Sequence, residues 1–430
     1  MSIRRLWIPV MILLGSSSLS VRAQTVQRLT LKEAEQIALQ NHPQIRAAQF
    51  VAAAANEVTT ETRSAYYPYT FGSLTGAAAE HDSRIAAGVL NNPIIFNRYA
   101  NGITAGQLIT DFGRTQNLVH TSSLHAQAEQ QGVTVTRADV LLQVDQVYFG
   151  ALRAQAVLKV AQETVKDRQL VADQITTLAQ SQLKSGLDVS FANVNLAEAK
   201  LLLVQAQNDV ESSFADLSAA LGYSDDRRFE LAEEPVPPAP PADLRQLVDE
   251  AFRERPDLAE LGLDANAAHS FARAERDLWF PSVSFVGTAG LIPYKQEALT
   301  SRYAAAGVNV NIPIFNGRLF NARRAEADFQ AQAQDQRLKN LHNQVAQEVR
   351  VAWLKANTGY QRLDLTVQLL NEATQALHLA QARYDLGLGS IVELSQAQLN
   401  QTEAELEQAR AKYDYQSQLS ALNYQVGLLR

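Results

Sequence analysis

An elongated, mainly α-helical protomer with a small β-barrel part is expected of this sequence, and three observations carry that expectation. The chain is duplicated internally. Its prolines leave two very long stretches free for helix, and short segments of alternating apolar residues precede each of those stretches.

The duplication comes first because each copy is one structural unit. LTLKEAEQIALQNHPQI begins at Leu29 and DLRQLVDEAFRERPDL at Asp243, each reading as a short capped helix that ends at an X-Pro pair. Those pairs, His42-Pro43 and Arg255-Pro256, are 213 residues apart, and Tyr67-Pro68 answers Phe280-Pro281 at the same interval. Further along, Asp111 answers Asn316, Tyr148 answers Trp353, and Leu221-Gly222 answers Val426-Gly427, all 205 apart. Residues 24–223 therefore form a first repeat and 243–430 a second, joined by a proline-rich linker over 224–242.

Residues 1–23 read as a secretory leader: Arg4 and Arg5, an apolar run from Leu6 to Leu14, and Val21-Arg22-Ala23 as the cleavage site. A membrane anchor is the competing reading, but the run is well short of the roughly 20 residues that span a bilayer. Losing Arg4, Arg5 and Arg22 takes the formal charge from −7 to −10, an acidic mature chain for which nucleic acid is not an expected partner. The chain has no cysteine, which excludes disulfides, thiolate metal sites and a lipid-acceptor thiol.

The thirteen prolines leave residues 94–234 and 314–430 without one. An interior proline costs a helix about 3 kcal/mol, so these stretches suit long helices. A helix from about Gly113 to Ser185 would be on the order of 100 Å long at about 1.5 Å per residue, with a similar one after Arg318. Val349, Ala352, Ala356, Leu363, Val367, Leu370, Leu377, Ala380 and Tyr384 mark a coiled-coil seam with Gly359 and either Ala373 or Thr374 at the intervening positions, and Leu141, Val144, Tyr148 and Ala151 mark its counterpart. Turns at Gly186 and Gly387 then send a second helix back in each copy, giving hairpins over 111–222 and 316–427. The turn glycines are 201 apart rather than 205, so the register at the tips stays open.

Strands are expected at about 67–79, 101–110, 281–291 and 303–315. Val308, Val310 and Ile312 alternate with Gly307, Asn309 and Asn311; Val283, Phe285 and Gly287, then Tyr67, Tyr69 and Phe71, then Ile103, Ala105, Gln107 and Ile109 behave alike. A soluble sheet with one solvated face fits the alternation equally well. If the strands lie in lipid, however, four cannot close a barrel, and open edges would leave backbone groups unpaired at several kcal/mol each. Three chains giving twelve strands is the natural closure. Asp111 and Asn316 then stand at the strand-to-helix junctions, where their side chains are expected to cap helix N–H groups.

The opening helix, the junctions LITDFGR (Leu108 to Arg114) and IPIFNGR (Ile312 to Arg318), and the tip GLGSIVELSQAQ from Gly387, duplicated and in this order, resemble the TolC-type outer-membrane efflux proteins over nearly the whole mature chain. The resemblance implies a homotrimer forming one 12-stranded barrel in outer-membrane lipid, continued by an α-helical tunnel into the periplasm, with the linker in a belt part-way down. It implies a passive duct for small molecules, fed by an inner-membrane pump through a periplasmic adaptor of the membrane fusion protein kind. A duct for type I protein secretion is the alternative, and a periplasmic coiled-coil adaptor or scaffold the alternative of another class.

The same resemblance puts a periplasmic gate at Asp188, Glu393 and Gln396, where solvated tip charges are the plainer reading. Gly389 stands where some relatives carry a bridging Arg, a departure that puts that bridge in doubt. Gly186-Leu187 and Gly387-Leu388 match the adaptor-docking tips, with ordinary turn glycines as the competing account. No catalytic, metal or cofactor constellation is readable: the seven histidines show no i, i+4 pair. No enzymatic activity is expected.

Overall fold

The computed structural model describes residues 27–80, 83, 94–225 and 227–429; the expected leader lies outside them. The first repeat runs β1 (Gln27–Leu29), α1 (Leu31–Asn41), α2 (Pro43–Arg63), β2 (Tyr69–Ala77), β3 (Arg98–Thr110), α3 (Arg114–Gln180) and α4 (Gly186–Ala220). The linker carries β4 (Phe229–Leu231), and the second repeat runs α5 (Leu244–Glu254), α6 (Pro256–Arg276), β5 (Ser282–Lys295), β6 (Arg302–Asn311), α7 (Leu319–Asp385) and α8 (Ile391–Val426).

Each repeat opens on a capped helix. Thr30 and Glu33 form a capping box at α1, the Glu33 backbone N–H donating to the Thr30 hydroxyl (3.3 Å) and the Glu33 carboxylate accepting from the Thr30 N–H (2.9 Å). Asp243 accepts from the N–H groups of Arg245 and Gln246 at α5. The X-Pro pair ends that helix as expected, but a second helix of 21 residues starts at the proline itself in both repeats. Proline suits the first helical turn because its missing N–H has no partner there anyway. α2 packs on α3, and α6 lies between α3 and α7.

The long helices α3 and α7 each have 67 residues, about 100 Å at about 1.5 Å per residue, and α4 and α8 return along them with 35 and 36. Leu141, Val144, Tyr148 and Ala151 are buried, as are Val349, Ala352, Ala356, Gly359, Ala373, Ala380 and Tyr384. Mid-helix the seam departs from expectation: Thr366 is buried and Val367 exposed, the Thr366 hydroxyl being satisfied by the Arg362 carbonyl (2.9 Å). Gly359 lets α8 approach, since a Cβ there would sit 2.2 Å from Gln418 Oε1.

β2, β3, β5 and β6 form one sheet in that order, every pair antiparallel. β5 runs past Leu291 to Lys295 because its Pro293 falls in a bulge between the Tyr99–Tyr294 and Asn101–Leu291 pairs, where no ladder N–H is needed. β6 stops at Asn311, ahead of Pro313, rather than continuing to 315. The register also corrects one alternation. Tyr69 pairs Gly106 and Phe71 pairs Thr104, so these aromatics share a face with Thr288 and Asn309, opposite the apolar face of Ile103, Phe285, Val308 and Val310.

Part-way down the hairpins, the repeat-equivalent aromatics tie down the linker. The Tyr148 hydroxyl reaches the carbonyls of Leu29 (2.9 Å) and Ala232 (2.7 Å), beside the parallel pair β1–β4, and Trp353 Nε1 donates to Pro241 O (2.7 Å). Between them Tyr415 donates to Pro238 O, Gln416 to the Glu234 and Pro235 carbonyls, and Lys412 pairs with Glu233 (2.7 Å). The β1–β4 pair was not anticipated: three residues are too few to show a period.

Under this belt Asp145 of α3 is 2% exposed and its Oδ1 has no hydrogen-bond partner among the described residues. Burial first, then the carboxyl of Glu35, push its pKa up to about 7 against the pull of the Ser420 hydroxyl. An acid with a folded pKa above its unfolded one costs stability as pH rises from 3.8 to about 7, and no more beyond. Asp145→Asn is expected to remove that slope, so thermal unfolding should show the variant gaining on the parent from about pH 4 to about pH 8. A difference independent of pH would show that the carboxyl is not the source.

Candidate functional site

The two hairpin tips are built alike, and the structure fixes their register. α3 ends where Gln182 takes a left-handed φ of 60°, and α7 where Gly387 takes 71°. These positions are 205 apart, as are the helix caps Ser185 and Ser390 and the acids Asp188 and Glu393 that follow them. Gly186 and Gly387 are thus not equivalent. Gly186-Leu187 opens α4, whereas Gly387-Leu388 lies in the turn, and the true counterpart of Leu388 is Leu183. The 201-residue spacing of the two glycines left this register open in the sequence, because Gln182 takes the left-handed turn without a glycine. Around both turns Leu183, Leu187, Leu386 and Leu388 are exposed, at 63 to 74%.

Each acid is engaged within its own chain. Asp188 completes a capping box with Ser185, its Oδ2 accepting from the hydroxyl (2.6 Å) and the backbone N–H (2.9 Å). Partial burial raises its pKa, but the bonds from Ser185, with Tyr384 and Lys184 nearby, outweigh that and lower it. Glu393 follows the Ser390 cap and pairs with Arg383 Nε (3.0 Å), while Arg383 Nη2 donates to Leu388 O (3.1 Å). Gln396 is exposed and donates to Asn400 (2.8 Å). A Cβ on Gly389 would sit 3.2 Å from Arg383 Cβ and 3.3 Å from Glu393 Oε2, so glycine here leaves room for that ion pair.

The tips are also latched to each other. Lys184 donates to the Tyr384 carbonyl (3.1 Å), and its ammonium sits 3.5 Å from the centre of the Tyr384 ring. Burial and the Asp188 charge push the Tyr384 hydroxyl up to about 12. Higher up, buried Arg168 of α3 donates to Gln398 O (2.8 Å) and Thr402 Oγ1 (3.0 Å) of α8, and Asn195 of α4 to Ser395 Oγ (3.0 Å) and Gln398 Oε1 (3.1 Å). Tyr384 was read in the sequence only as a seam position, and Lys184, Arg168 and Asn195 are isolated polar letters on helix faces there.

At the opposite end of α3, Asp111 Oδ2 accepts from the Thr115 N–H (2.8 Å) and hydroxyl (2.6 Å). Asn316 does not cap α7. Its side-chain Nδ2 has no hydrogen-bond partner among the described residues, and its backbone carbonyl accepts from Leu319 N (3.1 Å). Both junctions turn through two left-handed residues, Phe112-Gly113 (57° and 113°) and Gly317-Arg318 (61° and 73°), with the glycine in opposite places. Only the first copy has a threonine hydroxyl one turn on to draw the acid in.

The description of the outer membrane efflux protein family matches residues 35–223 and 247–428, once per repeat. The outer membrane protein TolC of Escherichia coli is 24% identical over 342 residues, covering 74% of this chain and 69% of its own. The antibiotic efflux pump outer membrane protein ArpC of Pseudomonas putida is 24% identical over 311 residues, covering 70% and 62%. The Campylobacter jejuni CmeC outer membrane channel shares the fold, with a TM-score of 0.78 at 18% identity over 92% of this chain and 85% of that one. With the family matched over both repeats, residues 35–223 and 247–428, the chain belongs to the outer membrane efflux protein family.

Proposed function

We propose that this outer-membrane efflux component is a passive duct of a tripartite export system, working as a homotrimer with a periplasmic adaptor and an inner-membrane pump, and without a catalytic step of its own. The observation that carries this reading is the four-stranded sheet. It has one apolar face, two open edges and an antiparallel order in which β6 of one copy can pair with β2 of the next, and it continues into hairpins about 100 Å long. Small amphiphilic compounds are the proposed cargo, in keeping with the antibiotic efflux named for the Pseudomonas relative.

The exposed leucines of the turns are the proposed adaptor contact, and Asp188, Glu393 and Gln396 the proposed rim of the periplasmic aperture. Three symmetry copies of Glu393 about a narrow axis would repel one another and draw cations, a field that a single paired carboxylate lacks.

Leu183→Glu with Leu388→Glu touches no packed side chain, so folding, outer-membrane insertion and conductance in planar bilayers should stay at parental levels. Export in the native host, read as drug susceptibility, should fall to that of a deletion strain. Export at the parental level would remove the tips from the contact. Glu393→Gln should lower the cation-over-anion permeability ratio and weaken block by divalent ions in the same bilayers; unchanged values would leave Glu393 as a structural partner of Arg383 and no more.

A further inference from the structure

On one face of the sheet every large side chain of the central rungs is aromatic, and the rest of that face is kept small. Strand pairing puts Tyr69 level with Gly106, Val286 and Gly307. It puts Phe71 level with Thr104, Thr288 and Ala305, and Tyr303 level with Gly290, Gly102 and Ser73. The three rings thus occupy consecutive rungs, about 7 Å apart at two residues per step.

The rings lie down on the sheet. A Cβ at Gly106 would come within 2.3 Å of the Tyr69 ring, and one at Gly102 or Gly290 within 2.0 or 2.5 Å of Tyr303. Any side chain at these glycines would lift the rings off. Tyr69 and Phe71 are parallel, interplanar angle 4° with centroids 6.2 Å apart. Between the rings the Thr104 and Thr288 hydroxyls bond at 3.2 Å. The opposite face carries Leu74, Ile103, Phe285, Val308 and Val310, which is the face for lipid, so the aromatic face is the lumen of the proposed barrel.

We infer that Tyr69, Phe71 and Tyr303 form a lumenal binding ladder for organic cations that carry aromatic rings. The inference rests on the channel reading and adds the class of molecule that the barrel holds in transit. Aromatic faces carry negative potential and attract cations as well as flat rings. None of the three rungs holds a charged residue, so that potential is uncancelled locally; Arg98, four residues along β3 from Gly102 on the same face, stands beyond the last ring. Tyr69 and Phe71 lie on one open edge strand and Tyr303 on the other. Closure of β6 on the β2 of a neighbouring protomer therefore gathers the rings of two chains at each seam, making a site that no single chain completes.

The test compares tetraphenylphosphonium with tetrabutylammonium, cations of one charge with and without rings, by isothermal titration of the detergent-extracted protein and by current block in planar bilayers. The parent should bind and be blocked by the aromatic cation at concentrations about tenfold lower. A triple variant, Tyr69→Leu, Phe71→Leu and Tyr303→Leu, keeps bulk over the glycines and should lose the preference while retaining conductance. Equal binding of the two cations by the parent, or an undiminished preference in a folded triple variant, would overturn the ladder. Absence of any conductance in the parent would count against the channel reading instead, with the titration still deciding whether the rings bind aromatic cations. Should the triple variant fail to fold, Phe71→Leu alone, at a position that covers no glycine, is expected to halve the preference or more, and an unchanged preference there would likewise overturn it.

Discussion

Two unpaired strand edges govern the rest of this molecule. β2 and β6 each offer a row of backbone N–H and C=O groups on one side, and in lipid each such group left alone costs several kcal/mol. Four strands are too few to curl onto themselves, since membrane barrels begin at about eight. In the proposed duct, closure therefore comes from other copies. The even number of strands makes it possible, because β6 runs antiparallel to β2 and identical sheets can be joined edge to edge without a mismatch. A barrel built this way would fix the symmetry of whatever hangs below it, so each hairpin pair would become one sector of the proposed tube.

The duplication supplies the two halves of each sector, and its marks persist in contacts rather than in letters. Tyr148 and Trp353 are different residues at equivalent places, and each donates to a carbonyl at one end of the same proline-rich linker. Gly222 and Gly427 end the returning helices with φ of 81° and 87°, and each presses on the backbone ahead of an X-Pro corner, Asn41-His42 or Glu254-Arg255. A Cβ at either glycine would stand 2.9 to 3.1 Å from that backbone. The corners thereby anchor the returning helix of each repeat at the belt, leaving the tips as the end that is free to meet a partner.

The sequence was most legible where one physical signal ran long. Sixty-seven-residue helices without proline, and strands with a two-residue period, are hard to mistake. Signals that need a partner were not visible. Tyr69 and Phe71 look lipid-facing by alternation alone, and only the pairing with Gly106 and Thr104 puts them on the other side. The tip register stayed open in the sequence because the two glycines are 201 apart, whereas the left-handed turns fall at Gln182 and Gly387. Asn316 resembled Asp111 in position and chemistry, yet without a hydroxyl to match Thr115 it does not reach its helix. The latches at Arg168, Lys184 and Arg383 depend on which residue of another helix lies opposite, which no single-helix pattern encodes.

The claim on which the duct, its seams and its tip rim all rest is closure by threes. Native mass spectrometry of the protein extracted from outer membranes in mild detergent reads it directly. Three copies per particle is the predicted result. A monomer or dimer, or a water-soluble periplasmic species, would contradict the account, because open strand edges would then be tolerated without the closure that lipid demands.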